Sequence, residues 1–135
     1  MEHEDFCLDF QVRDYECDMQ GVVNNAVYQN YLEHTRHEYL KSLGLDFAEL
    51  TRQGLHLMVI RAELDYRRSL RSGDRFRVGL RMERLSPLRV VIYQRIVLVG
   101  DEAPVLEAKI IAAAISEKGR PKMPAPIAAI VKEKG

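Results

Sequence analysis

The residues best suited to carry out a chemical reaction lie between Tyr15 and Tyr39. One carboxylate, Asp18, stands just before a glycine, Gly21, and an Asn-Asn pair follows at Asn24 and Asn25. Asn is a favoured N-cap residue, so we expect a loop that ends where a helix begins, at this pair. The first turn of a helix presents unpaired backbone N–H groups and about half a positive charge.

This arrangement suits attack on a carbonyl group. The amides of a helix that begins at Asn24 or Asn25 can polarise a carbonyl oxygen and stabilise the oxyanion that forms on attack. The glycine folds Asp18 back toward the same carbonyl carbon, where its carboxylate acts either as a base on water or as the nucleophile. Such a pair can transfer an acyl group to water without a serine, a metal or a cofactor. The same residue types are common in turns and helix caps, so the local pattern alone leaves a structural role open.

The helix that must position these groups is predicted from about Ala26 to about Leu43. One face carries residues that recur at three- and four-residue steps, namely Tyr28, Tyr31, Leu32, Thr35 and Tyr39. The opposite face is polar and carries Gln29, Glu33, Arg36, His37 and Lys41. Gly44 supplies the C-terminal stop. A short helical turn follows from Phe47 to Leu50, ending near Gly54.

The other periodic segments predict five strands. They are Phe6–Arg13, His56–Tyr66, Arg75–Glu83, Leu88–Val99 and Val105–Ile115, and the last is apolar on both faces and therefore interior. In the second strand the even positions form the apolar face, namely Met58, Ile60, Ala62 and Leu64. Tight turns join the last four strands and require antiparallel pairing. The chain is therefore predicted to be α+β, with a five-stranded antiparallel sheet wrapped around one long helix. A final short helix is predicted over Pro126–Lys132.

Composition narrows the class of protein. The chain has 135 residues, which indicates a single domain over residues 1–135, and it is 47% hydrophobic and 30% charged, too apolar for disorder. Twenty basic residues balance 20 acidic ones, so no excess positive charge is available to hold a nucleic acid. The longest apolar run, Ile110 to Ile115, is far short of the ~20 residues that cross a bilayer.

The N-terminal residues and the cysteines indicate the cellular compartment and whether a metal site is expected. The acidic N-terminus has no apolar run of the kind that an export signal needs. Cys7 and Cys17 form no CxxC motif and no Cys/His cluster. We therefore expect a cytoplasmic protein without a metal site or a disulfide.

One pattern of fixed spacings resembles the signature of the 4-hydroxybenzoyl-CoA thioesterase-like hotdog family, and it reads Asp18-x-x-Gly21-x-Val23-Asn24-Asn25-x-x-Tyr28-x-x-Tyr31-x-Glu33-x-x-Arg36-x-x-x-Leu40. The resemblance is closest to the acyl-CoA thioesterases of that family. It implies a hotdog fold and a hydrolase without a cofactor, in which Asp18 is the catalytic carboxylate and a backbone amide near Asn25 polarises the thioester carbonyl. Some relatives carry histidine at the position of Asn25, and others carry it directly after the glycine, where this chain has Val22.

The resemblance also implies an assembly. Two sheets join edge to edge in a homodimer, and two dimers stack in a homotetramer if assembly goes further. Each site is then built from both subunits, with residues around His56 to Val59 facing Asp18 of the other copy. The substrate-binding residues implied in this way are Gly21, Val22, Val23, Tyr28, His56, Met58 and Val59. Packing roles are the alternatives for Tyr28, Tyr31 and Met58, and a structural role is the alternative for His56.

Further groups admit two interpretations each. Five arginines, Arg67, Arg68, Arg71, Arg75 and Arg77, suit the phosphates of coenzyme A or form a solvated rim that protects the sheet edges. Glu33, Arg36 and His37 have the spacing of mutual pairs on a helix surface, and Glu33 could instead support the loop. Tyr15 either orders the carboxylate or is a simple strand-end aromatic.

Three functions stay open at this point. The first is an acyl-CoA thioesterase, with acyl carrier protein as the variant carrier because both share a phosphopantetheine arm. The second is a non-catalytic hotdog protein that binds acyl groups or scaffolds partners. The third is a hydratase or dehydratase on the same fold.

Overall fold

The order of helices and strands follows the prediction closely. The computed structural model describes residues 4–45, 47–52, 54–116, 123 and 132–133. Along the chain it has β1 (Phe6–Gln11), a 3-10 turn (Asp14–Glu16), α1 (Asn25–Ser42), α2 (Phe47–Arg52), β2 (Leu55–Tyr66), β3 (Arg75–Ser86), β4 (Arg89–Leu98), β5 (Pro104–Ser116) and β6 (Lys132–Glu133). The long helix begins and ends within one residue of its predicted bounds. Most of the helix predicted over Pro126–Lys132 lies outside the described residues, and Lys132 itself begins β6.

The sheet confirms the α+β prediction. Its strand order is β1-β3-β4-β5-β2, and each of these neighbours is antiparallel. The short β6 adds a parallel pair to β3 at Glu83 and Arg84. The apolar β5 is interior as expected, while β1 and β2 form the two ends of the main strand path.

The core lies between α1 and one face of this sheet. The predicted apolar face of α1 is buried at every position, from Tyr28 (2% exposed) to Tyr39 (8%). Tyr31 packs on Phe76 of β3 with ring centroids 4.7 Å apart, and Phe10 of β1 stacks on the same ring at 5.1 Å. Full burial of side chains of this size contributes about 1.5–3 kcal/mol each, so these aromatic residues fix α1 over β3 and β1. No helix in the described part of the chain is long and apolar enough to span a membrane.

A β-bulge in β2 changes which side chains face the helix. The pairing with β5 shifts between Val59 and Arg61, so that Ile60 is an extra residue without a partner in the register. Before the bulge, Leu57 and Val59 pair with alanines of β5 that are buried toward α1. Because side chains alternate across a strand, Met58 faces the opposite side of the sheet.

The predicted apolar face of β2 is therefore wrong at its first positions. Met58 is 52% exposed and lies on the side of the sheet away from α1, so it packs in no core. Beyond the bulge, Ala62 and Leu64 pair with Ile110 and Ala108 and lie on the core side of the sheet as predicted, where Leu64 is partly buried and Ala62 is exposed. The sequence alternation alone gave no sign of the extra residue.

Candidate active site

A tight hairpin turn presents Asp18. The Asp18 N–H donates to the Val22 carbonyl (2.9 Å), and the Gly21 N–H donates to the Asp18 carbonyl (3.0 Å). The Asp18 Oδ1 in turn accepts from the backbone N–H groups of Gln20 (2.9 Å) and Val22 (3.4 Å). Gly21 has φ +79°, in the left-handed region that favours glycine. These bonds fix the carboxylate at the start of the turn.

The Asp18 side chain is available for chemistry. It is exposed, and no basic side chain in the described ranges lies within 4.0 Å of it. Its second carboxylate oxygen accepts no hydrogen bond from the residues that the structure describes. One oxygen thus holds the loop in place, and the other is free to act on a substrate or a water molecule.

The first turn of α1 supplies free donors. Asn24 is the N-cap, as expected, with extended dihedral angles (φ −65°, ψ 139°). Its side chain makes no hydrogen bond to the first turn, so the expectation of a side-chain cap is wrong. The backbone makes the connection instead, because the Asn24 N–H donates to the Glu16 carbonyl (3.1 Å) and the Val27 N–H donates to the Asn24 carbonyl (2.9 Å). Within the described chain, the N–H groups of Asn25 and Ala26 have no hydrogen-bond partner.

The Asp18 carboxylate and the N-terminus of α1 line the same cleft. The cleft has a volume of about 520 Å³, and residues 66–69 line it together with Asp18, Val22, Val23, Asn24, Asn25 and Tyr28. Five of the residues predicted for the site are therefore in one place, namely Asp18, Val22, Val23, Asn25 and Tyr28. Gly21 is not one of the residues that line the cleft, but it shapes the turn that presents Asp18.

Tyr28 joins this cleft to the segment that follows β2. Its hydroxyl accepts a hydrogen bond from the Leu70 N–H (2.9 Å), and its ring meets Tyr66 edge-on at 5.6 Å. The Val23 N–H donates to the Leu70 carbonyl (2.9 Å), and Val22 forms a β-bridge with Arg71. Burial raises the pKa of Tyr28, which keeps the phenol neutral. Tyr28 thus packs between α1 and the segment after β2 and also lines the cleft, and its contact with substrate stays a prediction.

The predicted arginine cluster divides into two groups. Arg67 and Arg68 line the cleft, and Arg71 lies beside Val22. Arg67 pairs with Glu107 (3.3 Å), an exposed pair that leaves its charge available to a ligand. Arg77 instead lies on the interior strand β3 and forms ion pairs with Asp9 (3.0 Å) and Glu102 (3.8 Å), so it neither lines the cleft nor protects a sheet edge.

Other predicted residues lie elsewhere in this single chain. His56 faces the same side of the sheet as Met58, away from α1, and Val59 lines a second cavity. Their predicted contact with Asp18 of another copy stays a prediction. Tyr15 is 74% exposed and accepts a hydrogen bond from Arg13 at 2.6 Å, so it does not order the Asp18 carboxylate.

The sequence pattern did not predict the second cavity. It measures about 230 Å³ between α1 and the sheet. Arg36 donates from Nη1 to the Oε1 of Gln94 on β4 (2.9 Å), and Gln94 donates from Nε2 to the Leu32 carbonyl (3.0 Å). Gln94 is 1% exposed. The available signal was a glutamine among the inward-facing apolar positions of β4.

Comparison with known proteins identifies the family of the chain. Residues 12–132 match the model of the thioesterase-like superfamily. Over 114 residues the chain is 42% identical to the chloroplast acyl-acyl carrier protein thioesterase ATL3 of Arabidopsis thaliana and 41% identical to ATL2 of the same plant. These matches cover 84% of this chain and 60% and 61% of the two relatives, so the chain spans about 60% of their length.

Solved structures support the fold. Slr0204 of Synechocystis, a 1,4-dihydroxy-2-naphthoyl-CoA thioesterase, superposes with a TM-score of 0.86 at 20% identity over 93% of this chain and 96% of its own. A hypothetical protein of Aquifex aeolicus, AQ1494, superposes with a TM-score of 0.87 at 25% identity over 94% and 99%. With the family match over most of its length and this agreement in fold, the chain belongs to the thioesterase-like superfamily and has the hotdog fold.

Proposed function

We propose that this chain hydrolyses a thioester whose acyl group is carried on the phosphopantetheine arm of coenzyme A or of an acyl carrier protein. One observation carries the proposal: the exposed carboxylate of Asp18 and the free N–H of Asn25, at the start of α1, line the same cleft. The names of the two plant relatives support a carrier-protein substrate.

The chemistry follows from these two groups. As a base, Asp18 takes a proton from water while the water oxygen bonds to the thioester carbon. The carbonyl oxygen gains negative charge and accepts hydrogen bonds from the N–H groups of Asn25 and Ala26, next to the positive end of the helix dipole. The carbon–sulfur bond then breaks, the thiolate takes the proton from Asp18, and the free acid leaves.

The same groups also permit a covalent route. The unpartnered oxygen of Asp18 bonds to the thioester carbon and expels the thiolate, which forms a mixed anhydride that water then hydrolyses. Both routes leave the oxyanion at the helix N-terminus and need no metal or cofactor. A single turnover in oxygen-18 water tests the covalent route, because label enters the Asp18 carboxylate only when water attacks the aspartyl carbon of the mixed anhydride.

Two arginines of the cleft suit the carrier. Arg67 and Arg68 line the cleft, and guanidinium groups bind phosphate oxygens in bidentate geometry. A phosphopantetheine arm carries a phosphate on either carrier. Replacing Arg68 with Met is therefore expected to raise KM for both carriers and to change kcat little.

We also assign a second copy of the chain to the exposed edge of β2. This strand pairs with β5 on one side only in the described sheet, and Met58, Val59 and Ile60 are each about half exposed (52%, 49% and 50%). An exposed apolar edge strand is a template for pairing with another strand. The prediction of a homodimer therefore has structural support at this edge, and whether dimers associate further stays a prediction.

A substrate panel tests the proposal. Purified protein is incubated with acyl-CoA and acyl-carrier-protein thioesters of matched chains, and released thiol is measured with Ellman reagent. We expect thiol release from at least one carrier class. Binding of both classes without thiol release contradicts the proposal and supports the non-catalytic alternative.

A further inference from the structure

The cavity between α1 and the sheet has a partly polar wall and an apolar wall. The helix contributes Glu33, Arg36, His37 and the apolar Leu40, while the sheet contributes only apolar side chains, namely Leu57, Val59, Met82, Ile92 and Ala112. With water occupying about 30 Å³, a space of about 230 Å³ holds several non-hydrogen atoms of a ligand. Such a space suits a hydrocarbon chain that bears a polar group at one place.

Arg36 is held in this cavity with donors to spare. A guanidinium has five N–H donors, and Gln94 accepts from one terminal nitrogen at 2.9 Å. Gln94 is fixed in turn by its bond to the Leu32 carbonyl and is 1% exposed. No carboxylate in the described ranges forms an ion pair with Arg36 within 4.0 Å.

Arg36 is partly buried. Burial lowers the pKa of its guanidinium, while the nearby Glu33 carboxylate acts in the opposite direction. A partly buried charged donor with unused N–H groups binds an added acceptor more strongly than a fully exposed donor does.

Helix geometry relates Arg36 to the candidate active site. Eleven residues separate Asn25 from Arg36, which is about three turns at 3.6 residues per turn. The two residues therefore lie on the same side of α1, about 16 Å apart at 1.5 Å per residue. Helical side chains lean toward the N-terminus, which brings the guanidinium closer to the cleft. Bonds of about 1.5 Å advance an extended alkyl chain by roughly 1.25 Å each. If the Arg36 side chain reaches about 5 Å toward the cleft, roughly 11 Å remain, which is the length of a chain of about ten carbons.

We propose that Arg36, held by Gln94, is a specificity-determining residue that binds a hydroxyl group near the far end of a medium-length acyl chain. The proposal rests on the proposed function, because it takes the thioester end of the acyl chain to lie at Asn25. A hydroxyl fits better than a carboxylate because it can accept from Arg36 and donate to the neighbouring Glu33, whose charge repels a second anion.

Binding without turnover tests the subsite. Two non-hydrolysable thioethers of coenzyme A are titrated by calorimetry, one with a decyl chain and one with an ω-hydroxydecyl chain. We expect the hydroxylated ligand to bind tenfold or more tightly, since a hydrogen bond to a charged donor is worth at least this factor. Equal affinities in the unaltered protein overturn the proposal, and this comparison requires no variant to fold.

Variants assign the effect to Arg36. Arg36→Met is expected to remove the preference, and Arg36→Lys to reduce it, because a single ammonium group lacks the guanidinium fork. Arg89→Met, at an exposed position at the start of β4, is the matched control and is expected to keep the preference. A preference that is unchanged in whichever Arg36 variant folds overturns the assignment.

Hydrolysis is measured separately with the corresponding thioesters. If neither thioester is cleaved but the binding preference persists, the proposed function fails and the subsite stands. If both are cleaved with equal kcat/KM and the thioethers bind equally, the function stands and the subsite fails.

Discussion

Asn25→Pro tests whether a backbone N–H, rather than a side chain, stabilises the oxyanion. Asn25 is the first residue of α1, the position at which a helix best tolerates proline. The preceding residue must be extended before a proline, and Asn24 already has φ −65° and ψ 139°. The Asn25 N–H has no partner within the described chain, so the substitution breaks no hydrogen bond there.

The expected loss of kcat follows from the number of N–H groups that donate to the oxyanion. Removing one oxyanion donor lowers kcat by about 100- to 1,000-fold, or about 2.7–4 kcal/mol. Ala26 keeps its free N–H, so we expect the smaller end of this range for Asn25→Pro. The free energy of unfolding is expected to change by less than about 1 kcal/mol, since proline is pre-organised for this position.

The control is Asn25→Ala, which keeps the N–H and removes only the side chain. Because the Asn25 side chain makes no hydrogen bond in the described structure, we expect a kcat within about threefold of the original protein. Both variants are assayed for kcat and KM with the best thioester of the panel, and their unfolding is followed in urea. A folded Asn25→Pro variant with full kcat refutes the oxyanion assignment, and equal losses in both variants transfer the role to the side chain.

Three further changes test the carboxylate, the second copy and the support of the cleft. Asp18→Asn keeps an oxygen acceptor for the turn and removes the base, so kcat should fall about 100- to 10,000-fold. The control is Asp101→Asn, which should leave kcat unchanged, because the Asp101 carboxylate accepts from a backbone N–H at 2.9 Å in another exposed turn. Similar activities of the two variants would disprove the role of Asp18. Ile60→Lys should yield monomers by light scattering while Leu88→Lys should not, and an Ile60→Lys dimer would count against pairing along β2. Tyr28→Phe leaves the buried Leu70 N–H unpaired and should lower the free energy of unfolding in urea by about 1–3 kcal/mol; an unchanged value would show that the bond contributes nothing.

The sequence predicted the fold and the candidate site well where the determining interactions are local. The helix bounds follow from the periodicity of aromatic residues and from the Asn-Asn pair, and α1 indeed covers Asn25–Ser42. The turn at Asp18 depends on residues within four positions of it, because Gln20, Gly21 and Val22 make its bonds. Such short-range features are encoded in residue types and spacing.

Long-range contacts were not predictable in this way. The bond between Tyr28 and Leu70 joins residues 42 positions apart, and its existence depends on where β2 ends relative to α1. Arg36 was assigned to the solvated face of the helix, yet it donates to Gln94, 58 positions away. Residue types show that these groups can form hydrogen bonds, but the partner depends on how the sheet packs against the helix.

The bulge in β2 shows how one extra residue reassigns functional side chains. In an unbroken strand, Met58 would lie on the same face as Ala62 and Leu64, and Val59 would face away from α1. With Ile60 inserted, Val59 faces the helix and lines the cavity that contains Arg36, while Met58 lies exposed on the other face. Deleting Ile60 should remove the bulge without reversing either side chain, because Val59 and Arg61 already pair with Ala112 and Ile111, which are consecutive in β5. Val59 then stays in the cavity, and the affinity for both decyl ligands is expected to stay within about twofold of the original value. A larger loss of affinity in a folded variant would show that Ile60 itself shapes this wall.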